Sequence, residues 1–182
     1  KKELELDALF ICLLILLLIR GSVLFFECIF QPIIAWDAMM NWAPRAKIWF
    51  YEQNLEPIVS FNDWIKAPEM LRTSYAWHYP PGVPFSQMWI AMALQRWDEY
   101  LINLPWFFLW VSMGMVLYSQ LCQLKINPIF SLLATYMLLS MPIVNMHVAL
   151  AGYADLWVAA ALLLSTLSAL CWLEDKKSYE QL

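Results

Sequence analysis

The chain has 182 residues, 62% of them hydrophobic and only 14% charged, with a mean hydropathy of +0.57. A soluble domain of this length needs far more charge to cover its surface, so the balance places the chain in a bilayer. The net charge of −4 excludes a nucleic-acid partner, which calls for basic patches. Eleven Trp suit the headgroup level, where the ring is apolar and its N–H finds a partner. The four cysteines (Cys12, Cys28, Cys122, Cys171) form no CxxC or Cys/His cluster, so neither a zinc site nor a disulfide framework is expected.

A spanning helix needs about 20 mostly apolar residues. The first candidate covers residues 8–30 and carries Arg20 and Glu27 on one face. Charges at that depth face a bundle interior, pair, or snorkel to an interface, and a functional role stays open. Lys1 and Lys2 precede this run without a small-residue cleavage site after it, so a cleaved signal is not expected. Residues 31–82 bring charges, prolines and dense aromatics. They read as a long external loop with short helices lying along the membrane surface. Residues 83–94 are apolar but short, either crossing with help from neighbours or re-entrant. Three further spans follow at about 101–121, 128–148 (containing Pro142) and 151–173.

The expected architecture is therefore all-α. It is one polytopic transmembrane bundle over residues 1–182, with four to five apolar segments. Lys1/Lys2 and Lys176/Lys177 both read as cytoplasmic. Both ends inside needs an even number of crossings, which puts Asp37 and Asp155 on one external face if 83–94 is re-entrant. Five full crossings would separate them.

Three patches stand out from the apolar background. The first is Trp36-Asp37-Ala38-Met39-Met40-Asn41-Trp42-Ala43-Pro44-Arg45-Ala46-Lys47. Asp37 suits a general base or a cation ligand, and Arg45 and Lys47 suit phosphate. The same residues also suit an interfacial helix with Trp anchors and solvated charges. Pro44 fits the first residue of a new helical turn, where its missing N–H does no harm. The second patch is Trp77-His78-Tyr79-Pro80-Pro81-Gly82, a rigid turn into a helix. There His78 is either a donor to phosphate or an interfacial anchor. The third is Gly152-Tyr153-Ala154-Asp155-Leu156, where Asp155 is either a helix cap or a ligand. No P-loop, nucleotide-binding glycine pattern, GxSxG or HExxH is present.

In this order and spacing the patches resemble the bacterial membrane glycosyltransferases of the GT-C superfamily. The likeness is to the family 39-like group of protein mannosyltransferases and aminoarabinose transferases. The matching residues are Trp36-Asp37-Ala38 leading to Trp42-Ala43-Pro44-Arg45-Ala46-Lys47, then His78-Tyr79-Pro80, then Gly152 to Leu156. The resemblance implies transfer of a sugar from a polyprenyl-phosphate donor to an acceptor, with inversion, at the outer face of a bacterial inner membrane. It makes Asp37 the catalytic residue. Trp36, Trp42, Arg45, Lys47, His78 and Tyr79 become substrate contacts, and Asp37 with Asp155 the ligands of a divalent cation (Mg or Mn). Its partners would be membrane lipid, the lipid-linked sugar and a membrane protein.

Two departures stand beside it: a lone Asp37 in place of an adjacent acidic pair, and Trp157 where relatives carry Pro. Such enzymes also have more spans and often a soluble C-terminal domain. The chain therefore reads as the front part of such an enzyme, or as a non-catalytic scaffold subunit of a larger complex. A transporter has only Arg20 and Glu27 in its favour, since no broken-helix pairing is evident in the sequence.

Overall fold

A computed structural model describes the backbone of residues 2–67 and 71–180 and the side chains of residues 8–67 and 71–174. The side chains of Lys1, Lys2, Lys176 and Lys177, on which the expected orientation rests, lie outside these. The chain is 74% helix and 2% strand. Among the described residues three helices are long and apolar enough to cross a membrane: Ala8–Phe30 within α1 (Lys2–Phe30), Leu101–Gln123, made of a short turn and α5 (Leu104–Gln123), and Asp155–Glu174 within α8 (Asp155–Glu180). A fourth candidate is the pair α6 (Pro128–Leu139) and α7 (Pro142–Ala149), bent by 58° at their junction. The count is thus three, or four if the bent pair is one span, against the four to five expected. The expected short segment is α4 (Gly82–Leu94), roughly 20 Å long at 1.5 Å per residue, well below a hydrocarbon core of about 30 Å.

The residues pack as two compact units. The first holds residues up to Phe26, Phe107–Val148, and those from Asp155 on. Its contacts are those of closely approaching helices: a Cβ added at Gly21 would lie 3.2 Å from the Trp110 ring. Small residues of this kind let helices meet where no hydrophobic force drives them together. The α6–α7 break, which the sequence reading did not anticipate, follows from Pro142. Proline donates no N–H and disfavours helix in the residue before it.

A break in apolar surroundings leaves carbonyls that need partners. The Trp110 indole N–H donates to Leu139 O at 3.2 Å, and Asn145 Nδ2 donates to Met141 O at 2.8 Å. Asn145 Oδ1 in turn accepts from Arg20 Nε at 3.1 Å. Arg20 therefore meets a polar group placed by the break, which is the structural role open to a charge in mid-span.

The second unit holds Glu27–Trp106 and Ala149–Ala154. It contains a π-helical turn (Ala38–Trp42), α2 (Ala43–Glu52), β1 (Ile58–Val59), α3 (Phe61–Lys66), β2 (Arg72–Thr73) and α4. The two short strands pair in parallel, Ile58 with Arg72 and Val59 with Thr73, a small departure from the all-helical expectation. Helices α2 and α4 pack through Trp49 and Phe85, whose rings lie 5.2 Å apart. Cys28, buried, donates its thiol to Asn103 O at 3.1 Å, in keeping with a packing role for this cysteine.

Candidate functional site

The first patch folds as one continuous helix with a widened start. Ala43 N–H donates to Ala38 O, a bond spanning five residues rather than four. Pro44 explains the widening in part, because it has no N–H for the carbonyl of Met40. Such π turns recur at functional sites. Asp37 opens this turn without capping it, since its side chain makes no capping hydrogen bond. Instead Oδ1 accepts from Asn41 Nδ2 at 3.2 Å. The carboxylate is half-buried and is not committed to the helix backbone.

One turn further on, Arg45 is buried at 4% exposure. Its Nη1 donates to Tyr79 O at 2.8 Å, and its Nη2 to Ala76 O at 3.0 Å and Trp77 O at 2.9 Å. The second patch thus hangs on the guanidinium of the first. Burial pulls the Arg45 pKa below its usual value, yet arginine stays a cation at any neutral pH. The Trp42 and Tyr79 rings add a tilted contact at 5.3 Å. The third patch joins through Gly152, at φ +116°, which packs directly on Ala38. A Cβ at Gly152 would overlap that of Ala38. Trp106 Nε1 then donates to Tyr153 O at 2.9 Å.

The segments 36–47, 76–79 and 152–153 are therefore assembled in a single unit. The individual residues fare differently. Arg45 is enclosed by carbonyls, so its reading as a free phosphate contact is replaced by that of a loop clamp. Trp42 is buried, whereas Trp36, His78 and Tyr79 are exposed. His78 stands edge-on to Trp77 and Tyr79, at 5.6 Å and 5.0 Å. Lys47 pairs with Glu99 at 3.0 Å, both side chains about half exposed, and its ammonium lies 5.7 Å from the Trp97 ring centre.

An exposed pair of this kind contributes at most about 1 kcal/mol. Lys47→Met is expected to change the unfolding free energy by no more than about that amount, measured by denaturant titration in micelles. Lys47 is consequently easy to redirect toward an incoming anion.

Asp155 is the first residue of α8, where the helix dipole favours a carboxylate. It belongs to the first unit, as does His147, whose Nε2 lies 3.9 Å from Asp155 Oδ2. His147 Nδ1 contacts Ile143 O at 2.8 Å, so in the neutral ring Nδ1 carries the hydrogen and Nε2 faces the aspartate as an acceptor. This histidine was not foreseen from the sequence, because its approach to Asp155 depends on the tertiary fold. Among the described residues no group of three or more His, Cys, Asp or Glu side chains gathers to hold an ion. Beside Asp37 stands the amide of Asn41 rather than a second carboxylate. The residues around Asp37 thus do not fit a carboxylate-rich cation site.

No family model, no curated protein and no solved structure matches this chain. Function is therefore argued from the chemistry of these side chains.

Proposed function

We propose that the chain is a glycosyltransferase module that moves a sugar from a polyprenyl-phosphate donor to an acceptor hydroxyl. In this reading it works at the non-cytoplasmic face of a bacterial inner membrane. The observation that carries the proposal is the gathering of the three motif segments around the π turn that bears Asp37. That turn leaves the Asp37 carboxylate uncommitted to capping, steadied on one oxygen by Asn41.

Asp37 takes the proton of the acceptor hydroxyl, and the oxygen attacks the anomeric carbon from the side opposite the phosphate. The bond from that carbon to the phosphate oxygen breaks, and its electron pair stays on the lipid phosphate. Lys47, released from Glu99, supplies positive charge to that phosphate, and His78 a hydrogen bond. No step in this scheme is routed through a divalent cation.

Asp37→Asn is expected to reduce transfer from a radiolabelled polyprenyl-phosphate sugar at least about a hundredfold, as loss of a general base does. Its thermal unfolding should stay close to that of the parent. Transfer retained in this variant removes the proposal. Cysteine substitution at positions 37 and 155, with labelling by a membrane-impermeant maleimide, tests the expected shared external face. Labelling of the two from opposite sides rules out a common site.

A second reading is favoured by one observation. Arg45, the most buried cation of the first patch, serves the protein's own backbone. A non-catalytic membrane scaffold would need that clamp and no substrate. Stable co-purification with a larger membrane partner, without binding of the lipid-linked sugar, distinguishes it.

A further inference from the structure

The second unit contains a groove of about 590 Å³, within the range of small-molecule sites. From the strand pair Thr73 of β2 lines it, held to β1 by its Oγ1 donating to Val59 O at 2.9 Å. The walls include Phe61, Asn62, Thr73, Ser74, Tyr75 and Trp77, and none of the described lining side chains is charged. Three aromatic side chains there remain open to solvent: Tyr75 at 92%, Phe61 at 60% and Trp77 at 45%. The Ser74 hydroxyl, by contrast, is buried with no hydrogen-bond partner. A buried hydroxyl without a partner costs free energy until something polar meets it.

We propose that this groove binds a neutral saccharide, the acceptor of the reaction argued above. Aromatic faces beside uncharged hydroxyl and amide groups match a sugar ring, which presents C–H on its faces and hydroxyls at its rim. Asn62 offers a donor and an acceptor, and Thr73 and Ser74 add hydroxyls. Among the described lining residues an anion would find no cation, and a cation no carboxylate. The groove also adjoins the candidate base, because Met40, three positions beyond Asp37 on the same π turn, forms part of its wall. Only the role as acceptor rests on the transferase reading. Binding of the sugar does not.

The test is saturation-transfer NMR on the chain in lipid nanodiscs, with methyl β-D-glucopyranoside and N,N′-diacetylchitobiose as probes. Signal should transfer to the ring C–H protons of at least one probe. Tyr75→Ala and Ser74→Ala should each weaken that binding about fivefold, the effect of about 1 kcal/mol. Tyr75 is almost wholly exposed, so its substitution does not threaten the fold. No transfer to either probe overturns the groove, even where Asp37-dependent sugar transfer persists. Sugar binding without Asp37-dependent transfer leaves the groove standing and removes the transferase reading alone. If Tyr75→Ala and Phe61→Ala alter only broadening by paramagnetic lipid, the aromatics are membrane anchors and the proposal fails.

Discussion

Arg45→Met is expected to destabilise the second unit by about 3–5 kcal/mol. The methionine fills part of the volume but donates nothing to Ala76 O, Trp77 O and Tyr79 O, which now receive three charge-assisted bonds. Bonds to a charged group contribute about 1.5–3 kcal/mol each, and carbonyls deprived of a partner retain their desolvation cost. Water can reach the part-buried ones, which keeps the total below the simple sum. Arg45→Lys should recover less than half of the loss, because an ammonium cannot match the planar fork that reaches three carbonyls. Denaturant titration in micelles measures both variants, and cysteine labelling at position 76 should rise in step. A destabilisation under about 1 kcal/mol would mean that segment 76–79 holds its shape without the clamp.

Gly152→Ala is expected to cost about 2–5 kcal/mol, for two separable reasons. At φ +116° a side chain is strained whatever the space, by roughly 1–3 kcal/mol. The new methyl would also collide with Ala38, which is fully buried and has no room to yield. Overpacking of that kind costs a further 1–3 kcal/mol or so. The double variant Gly152→Ala with Ala38→Gly should regain part of the collision cost and none of the backbone strain. Thermal unfolding of the two single variants and the double, read as a cycle, separates the terms. Full recovery in the double variant would show that the backbone carries no strain.

Much of the membrane character was legible, because long apolar runs such as 8–30 admit few other readings. The break in 128–148 was half legible. Pro142 was visible, but whether a proline bends or ends a helix depends on which groups satisfy the freed carbonyls, here the Trp110 indole on Leu139 O from a distant position. The first patch was identified as a cluster, yet the role of Arg45 was not. Its acceptors are backbone carbonyls more than thirty positions away, and a carbonyl has no signature in a sequence. Gly152 was quoted for its place in a motif, whereas its packing on Ala38 depends on tertiary approach alone. Asn41 lay inside the quoted patch without a role, although its place four residues beyond Asp37 puts the two side chains within reach on a helix. The saccharide groove was not foreseen either, because Ser74 and Tyr75 meet Phe61 and Asn62 only through the two short strands.

The five-residue turn at Ala38–Trp42 has a consequence for how this chain tolerates change in length. Each residue of a helix advances its phase by about 100°, so the extra residue acts as an angular offset between Asp37 upstream and Arg45 downstream. Removing one residue there would barely shorten the helix. It would swing the carboxylate about a third of a revolution relative to the clamp, aiming the acid elsewhere while Asp37 and Arg45 were both still present.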